Sequence, residues 1–208
     1  MARRRHTAIG AGRARPAGPV RIMVASTVYH FEEPLTQVCA VLSGFGYEVW
    51  NSHIGTIPVD PRRSNKQNCV AAAAACDVFL GIIRPFYGSG VVGRRSITHD
   101  EMRAAVRLAK PRWFLVHRDV TFTRQLLRAK MFTKGGRRTR FTIDRTPVMD
   151  DLRVIDMYRD AIQDGVPVRN RVGNWVQEFF RVDEALRYID SQFRDIERVR
   201  AMCFRTGR

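Results

Sequence analysis

The sequence predicts an α/β fold in which a doubly wound parallel sheet carries helices on both faces. Between residue 20 and about residue 118, short apolar runs rich in β-branched residues alternate with segments of helical periodicity. The run V-F-L-G-I-I at 78–83 is continuously apolar, which is typical of a strand buried on both faces. Such alternation favours parallel strands joined by right-handed crossovers.

The first half of the chain supplies the clearest elements. A strand at 21–25 precedes a helix, and glycines at 44 and 46 end that helix. The helix is predicted from apolar residues spaced i, i+3, i+4 and i+7, namely Leu35, Val38, Cys39 and Leu42. A strand at 47–50 and an alanine-rich helix at 64–76 come before the buried run.

The next βα step continues the same alternation. Residues 98–109 have Met102 and Ala105 on one face of a predicted helix. Pro111 ends this helix, and a strand is expected at 113–117. The whole pattern is therefore β-α-β-α-β-α-β, with three central strands expected at 22–24, 78–83 and 113–116.

The second half has weaker signals. Residues 121–132 and 147–163 have helical patterns, and a basic loop lies between them at 133–146. A last strand is expected at about 172–179, followed by a helix with Asp183 as its N-cap. The apolar stripe of that helix consists of Val182, Ala185, Leu186, Ile189, Phe193 and Ile196.

A chain of 208 residues fits one domain with extra segments. We expect a flexible basic tail at 1–19, because this segment has almost nothing to bury. A single α/β domain follows at 20–208, with a helical C-terminal extension. Its parts are a core at 20–118, a basic and helical insertion at 121–163, and a last strand and helix at 164–208.

Charge is the strongest compositional signal, since 36 basic and 20 acidic residues give a net charge of +16. Residues 1–20 hold five arginines and no acid, and residues 121–145 hold eight basic residues and one acid. Contact with a polyanion through these segments is therefore an open possibility. Only four of the 36 basic residues are lysines, however, and genome base composition alone can produce such an arginine bias.

Cysteine and hydropathy patterns predict a cytoplasmic protein without a membrane partner. The four cysteines form no C-x-x-C pair, and three of them lie in apolar segments, which indicates a reducing compartment. No stretch approaches the ~20 apolar residues that span a bilayer, and no apolar run follows the N-terminal arginines.

Two further classes of site have little support. Gly88–Gly93 matches G-x-G-x-x-G, but it does not join the first strand to its helix, as a dinucleotide fingerprint requires. The five histidines show no metal-ligand spacing, so neither a metal nor a resident cofactor is expected.

The candidate site lies in three loops at one edge of the sheet. Ligands of open parallel sheets bind outside the carboxyl ends of the strands, and the loops after the first and third strands lie there with the start of the next helix. Their aromatic faces, hydroxyls and carboxylate suit a nucleoside or nucleotide. The candidate substrate-binding residues are Ser26, Thr27, Tyr29, Arg84, Phe86, Tyr87, Gly88, Ser89, Ser96 and Thr98.

Three segments in order resemble the family named domain of unknown function 4062, which is TIR-like and related to nucleoside deoxyribosyltransferases. The similarity covers about residues 20–118. Its segments are R-I-M-V-A-S-T at 21–27 with Glu32-Glu33, D-V-F-L-G-I-I at 77–83 with Phe86-Tyr87-Gly88-Ser89, and Ser96-Ile97-Thr98 with Glu101 and Ala104-Ala105. The resemblance implies a flavodoxin-like sheet of about five strands in the order 2-1-3-4-5.

The resemblance also implies a catalytic role for Glu101, since relatives of this kind often cleave an N-glycosidic bond of NAD or a nucleoside with one glutamate in the helix after the third strand. A structural alternative is equally strong. Thr98-His99-Asp100-Glu101 matches a capping box, in which Glu101 would bond back to the N–H of Thr98.

Three functions remain open. The first is cleavage of an N-glycosidic bond of NAD or a related nucleotide or nucleoside, as in an NAD hydrolase or a nucleoside deoxyribosyltransferase. The second is a non-catalytic module that senses a nucleotide or assembles with other copies of itself, because fold alone does not imply chemistry. The third is nucleic-acid binding through the basic segments, which lack the interleaved aromatic residues expected for base stacking.

Overall fold

A five-stranded, all-parallel sheet forms the centre of the computed structural model, which describes residues 18–88, 90–92 and 94–203. Its strands are β1 (Arg21–Ser26), β2 (Glu48–Trp50), β3 (Val78–Ile83), β6 (Arg112–His117) and β7 (Val176–Phe179). They lie in the order β2-β1-β3-β6-β7. Numbered within this sheet alone, the order is 2-1-3-4-5, so the flavodoxin-like prediction is confirmed.

The helices follow the strands in the predicted alternation. They are α1 (Glu32–Gly44), α2 (Asn65–Ala75), α3 (Ile97–Arg107), α4 (Arg118–Met131), α5 (Arg153–Ala161), α6 (Val182–Phe193) and α7 (Ile196–Cys203). Two short strands, β4 (Val91–Val92) and β5 (Arg95–Ser96), form an antiparallel pair between β3 and α3. None of the helices in the described ranges is long and apolar enough to cross a membrane.

Helices cover both faces of the sheet. On one face, α1 and α6 pack against β1 and β3 through a cluster that includes Leu35, Leu42, Ile189 and Phe193. On the other face, α2, α3 and α5 share a second cluster with Phe79 and other residues of the sheet. Every residue of β3 is buried, as its uninterrupted apolar run predicts. The three central strands are β1, β3 and β6, again as predicted.

The start of α3 differs from the predicted one. Ser96 is the N-cap, and its hydroxyl accepts a hydrogen bond from the His99 N–H at 3.3 Å. The capping box from Thr98 to Glu101 is therefore wrong. Since the helix begins two residues before the expected position, Glu101 lies beyond the first turn and is free of a capping role.

The C-terminal part also corrects several boundaries. The last strand begins at Val176 instead of about residue 172, and Val168–Asn170 form a 3₁₀ turn. The N-cap of α6 is Arg181, so Asp183 is not the cap. A Glu184 carboxylate oxygen accepts the Arg181 N–H at 3.1 Å, which satisfies one of the free donors at this helix end.

The basic insertion folds against the core. Helix α4 confirms the helical prediction for 121–132, whereas the predicted helix at 147–163 is limited to α5. Between them, Phe141 and Ile143 pack against the same cluster as α5. Of the expected tail at 1–19, residues 1–17 lie outside the described residues. The carbonyl of Gly18 accepts a hydrogen bond from Arg200 at 2.9 Å.

Candidate functional site

A cavity of about 460 Å³ opens at the carboxyl edge of β1 and β3, where the candidate loops were expected. Strands β1 and β3 pair directly. After β1 the chain continues to β2 on one side of this pair, and after β3 it continues to β6 on the other side. Eight of the predicted residues line the cavity together: Ser26, Thr27, Tyr29, Tyr87, Gly88, Ser96, Thr98 and Glu101.

Glu101 is the one charged side chain among the described residues that line this cavity. It is 3% exposed, and it forms no ion pair with any residue that the structure describes. Burial raises the pKa of its carboxyl from 4.5 to about 7, because a carboxylate in this place loses its water without gaining a cation. The protonated form of Glu101 is therefore favoured far more at neutral pH than it is in an exposed glutamate.

The Cys69 thiol is the hydrogen-bond partner of Glu101. Helix α2 places this residue against α3, and its S–H donates to the carboxylate, which partly offsets the rise in the pKa of Glu101. Burial raises the pKa of Cys69 itself to about 12, with the neighbouring carboxylate as a second cause. Cys69 is therefore a neutral thiol that serves as a donor and not as a nucleophile.

Thr27 joins the loops after β1 and β3. Its hydroxyl donates to the Phe86 carbonyl at 2.7 Å, and the Ser26 hydroxyl donates to the Thr27 carbonyl at 3.1 Å. Gly88 has a φ of +92°, and a Cβ there would lie 3.0 Å from Cγ2 of Thr27. The close approach of the two loops consequently requires glycine at this position.

Arg84 and Phe86 do not line the cavity, and both contact the segment that follows β1. The Arg84 guanidinium donates to the Tyr29 carbonyl at 2.7 Å and to the His30 carbonyl at 3.2 Å, and it lies 4.3 Å from the centre of the Phe31 ring. Desolvation lowers the pKa of Arg84 to about 10. The Phe86 ring meets the Tyr29 ring edge-on at 5.5 Å.

Ser89, the last of the predicted substrate-binding residues, lies outside the described residues.

Behind the cavity wall, a buried chain of polar groups reaches α5. The Tyr87 hydroxyl and His99 Nδ1 share a hydrogen bond of 2.7 Å, and His99 Nε2 lies 3.0 Å from a carboxylate oxygen of Asp160. The Tyr87 N–H donates to Asp150 at 2.6 Å, and the Arg153 guanidinium lies 4.8 Å from the centre of the Tyr87 ring. Tyr87 is thus held by His99 of α3 and by Asp150 and Arg153 of the insertion.

The segment between β2 and α2 forms another wall, which the sequence did not indicate. Asn51 fixes it: the side-chain amide donates to the Val24 carbonyl at 2.8 Å, and its oxygen accepts the His53 N–H at 2.9 Å. Asn68 anchors the other end by accepting the Asp60 N–H at 3.0 Å. Additional lining residues that were not predicted are Val28, Ser52, Gly55, Ile57, Val59, Asn65, Asn68, Cys69, Gly90 and Ile97.

No group of three or more potential ligand residues suited to a metal ion occurs within 18–88, 90–92 and 94–203. The chemistry that the described side chains offer is that of one carboxylate, several hydroxyls and amides, and the rings of Tyr29 and Tyr87.

Comparison with known proteins extends the resemblance beyond the first half of the chain. The family model of the domain of unknown function DUF4062 matches residues 21–196. Comparisons with curated proteins and with solved structures found no match. The match covers β1 to the first residue of α7, which includes the insertion that braces Tyr87. The chain therefore belongs to the DUF4062 family.

Proposed function

We propose that this protein cleaves an N-glycosidic bond of a nucleoside or nucleotide, with NAD among the candidates, and that Glu101 is its catalytic residue. The observation that carries the proposal is the buried Glu101 carboxyl in the wall of an open cavity, with no ion-pair partner among the described residues. A group whose pKa is shifted by burial at the carboxyl edge of a parallel sheet is a functional-site candidate on physical grounds.

A buried carboxylate without a cation suits a reaction that develops positive charge. When the bond from the anomeric carbon to the base breaks, the sugar acquires oxocarbenium character, and a carboxylate nearby stabilises it. The positively charged sugar of the transition state then takes the place that a protein cation would have beside Glu101. The low dielectric of the site strengthens this attraction, because little water competes for either charge.

The shape and polarity of the cavity fit the nucleoside part of the substrate. Its volume of about 460 Å³ lies in the range of small-molecule sites. Hydroxyl groups of Ser26 and Thr98 and the amide of Asn65 are suited to the hydroxyls of a sugar, and the half-exposed Tyr29 ring offers a face for a base. No lysine or arginine in the described ranges lines the cavity, so phosphates would extend outside it.

The proposed step breaks one bond and forms one bond. The electron pair of the C1′–N bond leaves with the base, and the anomeric carbon then receives an oxygen from water, either directly or after a transient ester with the Glu101 carboxylate has formed and been cleaved by that water. In hydrolysis the sugar retains the hydroxyl of water, and the remaining proton goes to the base or to solvent. For NAD the leaving group is neutral nicotinamide, which needs no proton.

The test is to incubate the purified protein with NAD and with a panel of nucleosides and nucleotides, and to measure released base by chromatography. We expect Glu101→Gln to lower the rate by about a hundredfold or more, because a single electrostatic contact in a transition state is worth roughly 3 kcal/mol. Glu33→Gln, at an exposed position on α1, is the matched control and should retain the wild-type rate.

The pH profile gives a second readout. Since the ionised form of Glu101 is the active one, kcat/KM should rise with pH through the pKa of about 7 and then level off. Release of base that is unchanged in Glu101→Gln would refute the assignment. Binding of a nucleotide without any turnover by the wild-type protein would replace it with the sensing function.

A further inference from the structure

A second concavity, independent of the proposed reaction, lies between α4, the turn at 133–136 and the end of α5. Its volume is about 930 Å³, roughly twice that of the cavity beside Glu101. The charged residues lining this groove are Arg124, Arg128, Lys134, Arg159 and Asp164. We call it the basic groove.

The lining of the basic groove has an excess of positive charge. Asp164 is already occupied, since its carboxylate lies 2.8 Å from Arg159 Nε and 3.5 Å from a terminal nitrogen of Arg124. Arg128 and Lys134 are exposed, and neither forms an ion pair with any residue in the described ranges. Four cations therefore face one carboxylate, and two of the cations are available to a ligand.

The two inner arginines are fixed in place before any ligand binds. The Arg159 guanidinium lies 4.3 Å from the centre of the Phe132 ring and donates to the Gly136 carbonyl at 3.1 Å. The Arg124 side chain is 25% exposed, yet its Nε is buried and has no hydrogen-bond partner. Ordered guanidinium groups lose little entropy on binding, and their planar fork can donate to two oxygens of one phosphate at once.

The turn at 133–136 lines one side of the groove and is not crowded by other atoms. Gly136 has a φ of +76°, and a Cβ built there meets no atom within 4 Å. At Gly135 the nearest atom to such a Cβ is the Thr133 hydroxyl oxygen, at 4.0 Å. The backbone at Gly135 and Gly136 therefore borders open space on this side of the groove.

We propose that the basic groove binds the phosphate backbone of a nucleic acid. The charge extends beyond a single phosphate site, since residues 121–145 hold eight basic residues and one acid. Lys130, Arg137 and Arg140 are exposed on this same segment. A backbone with regularly spaced phosphates can neutralise several of these cations at once, whereas a single free phosphate cannot.

The test measures binding of a fluorescent oligonucleotide to the full chain by anisotropy over a range of salt concentrations. The double variant Arg128→Gln/Lys134→Gln removes two cations of the groove. The matched control Arg107→Gln/Arg187→Gln removes two exposed cations that do not line it. All the proteins retain the arginines at residues 1–20, so contributions from that segment cancel in the comparison.

For the groove variant we expect affinity about tenfold or more weaker at 0.1 M salt, and a slope of log K against log salt smaller by about 2, because each phosphate contact contributes about 0.9 to that slope. The control should bind within about twofold of the wild type and keep its slope, since cations that touch no phosphate do not enter the slope.

Two competitors, inorganic pyrophosphate and poly-glutamate, identify the source of the phosphate. If inorganic pyrophosphate displaces the oligonucleotide only at far higher concentration, the nucleic-acid backbone is supported. Equal competition by pyrophosphate would assign the groove to small phosphorylated molecules and overturn the backbone. Equal competition by poly-glutamate, or equal losses in the groove and control variants, would reduce the binding to general charge attraction. Glu101→Gln should leave oligonucleotide binding unchanged, which separates this result from the proposed reaction.

Discussion

Replacing Glu101 with glutamine should make the protein more stable above neutral pH. In the folded state burial raises the pKa of the carboxyl from 4.5 to about 7, so the folded chain holds this proton more tightly than the unfolded chain. Glutamine has nearly the same shape, can accept the Cys69 S–H, and carries no charge at any pH. The variant therefore loses the cost of a buried anion and little else.

The direction and size of this change in stability follow from the linkage between proton binding and folding. Below pH 4.5 the carboxyl is protonated in both states, and this group adds no pH dependence. As pH rises from 4.5 to about 7, the unfolded state loses the proton first and stability falls. At about 1.4 kcal/mol for each pKa unit, the difference between 4.5 and about 7 corresponds to about 3 kcal/mol. Above pH 7 the wild-type protein bears the full cost.

Urea unfolding of both proteins at pH 4.5, 6 and 8 measures this effect. Other carboxylates titrate in the same range, but they are common to both proteins and cancel in the difference. We expect the free energy of unfolding of Glu101→Gln, relative to wild type, to increase by about 3 kcal/mol between pH 4.5 and pH 8. Exposed Glu33→Gln should show no such change. Parallel pH curves for Glu101→Gln and wild type would mean that the carboxyl is not desolvated.

Two further substitutions test the packing and the site. Gly81→Ala should destabilise the protein by about 1–3 kcal/mol in urea unfolding, since its Cβ would lie 2.7 Å from a ring carbon of Phe114. The control Gly44→Ala, whose Cβ meets no atom within 4 Å, should be close to neutral. Equal effects of the two substitutions would argue against the tight contact at Gly81. Cys69→Ala removes the donor to Glu101, so the pH profile of base release should move to higher pH, while Cys69→Ser should keep the wild-type profile. An unmoved profile in Cys69→Ala would exclude that hydrogen bond.

Hydropathy alone was enough to predict most elements of the first half. The sequence of β3 has no alternation of polar and apolar residues, so it predicts a strand that is buried on both faces, and all six of its residues are buried in the structure. Local pattern and tertiary position agree in β1, β3 and β6, so the elements were predicted within a few residues. The strand order came from the family resemblance, since hydropathy does not encode which strands are neighbours.

The start of α3 shows where local pattern was insufficient. Ser96 and Thr98 are both favourable N-cap residues, and Glu101 three residues after Thr98 completes a capping-box sequence. The antiparallel pair of β4 and β5 decides between them, because it places Ser96 at the end of β5 and starts the helix at Ile97. A shift of two residues therefore changes Glu101 from a capping residue into part of a cavity wall.

The partners of the site residues were beyond the reach of sequence because they are distant along the chain. The pattern around Cys69 predicts only a small buried residue of α2, and no neighbouring residue in the sequence indicates its contact with Glu101. Asp160 meets His99 across 61 residues. The role of Asn51, directly after β2, could have been predicted, since asparagine often closes turns through its side chain.

The insertion braces Tyr87, a residue of the cavity wall, although every described residue that lines the cavity comes from the βα core. Asp150 holds the Tyr87 N–H, and Asp160 meets His99, which in turn holds the Tyr87 hydroxyl. A division at residue 118 would keep the bond between the Tyr87 hydroxyl and His99 but would remove Asp150 from the Tyr87 N–H and Asp160 from His99 Nε2. The family match also continues to residue 196, so the βα core and the insertion that contacts Tyr87 lie within the same family domain.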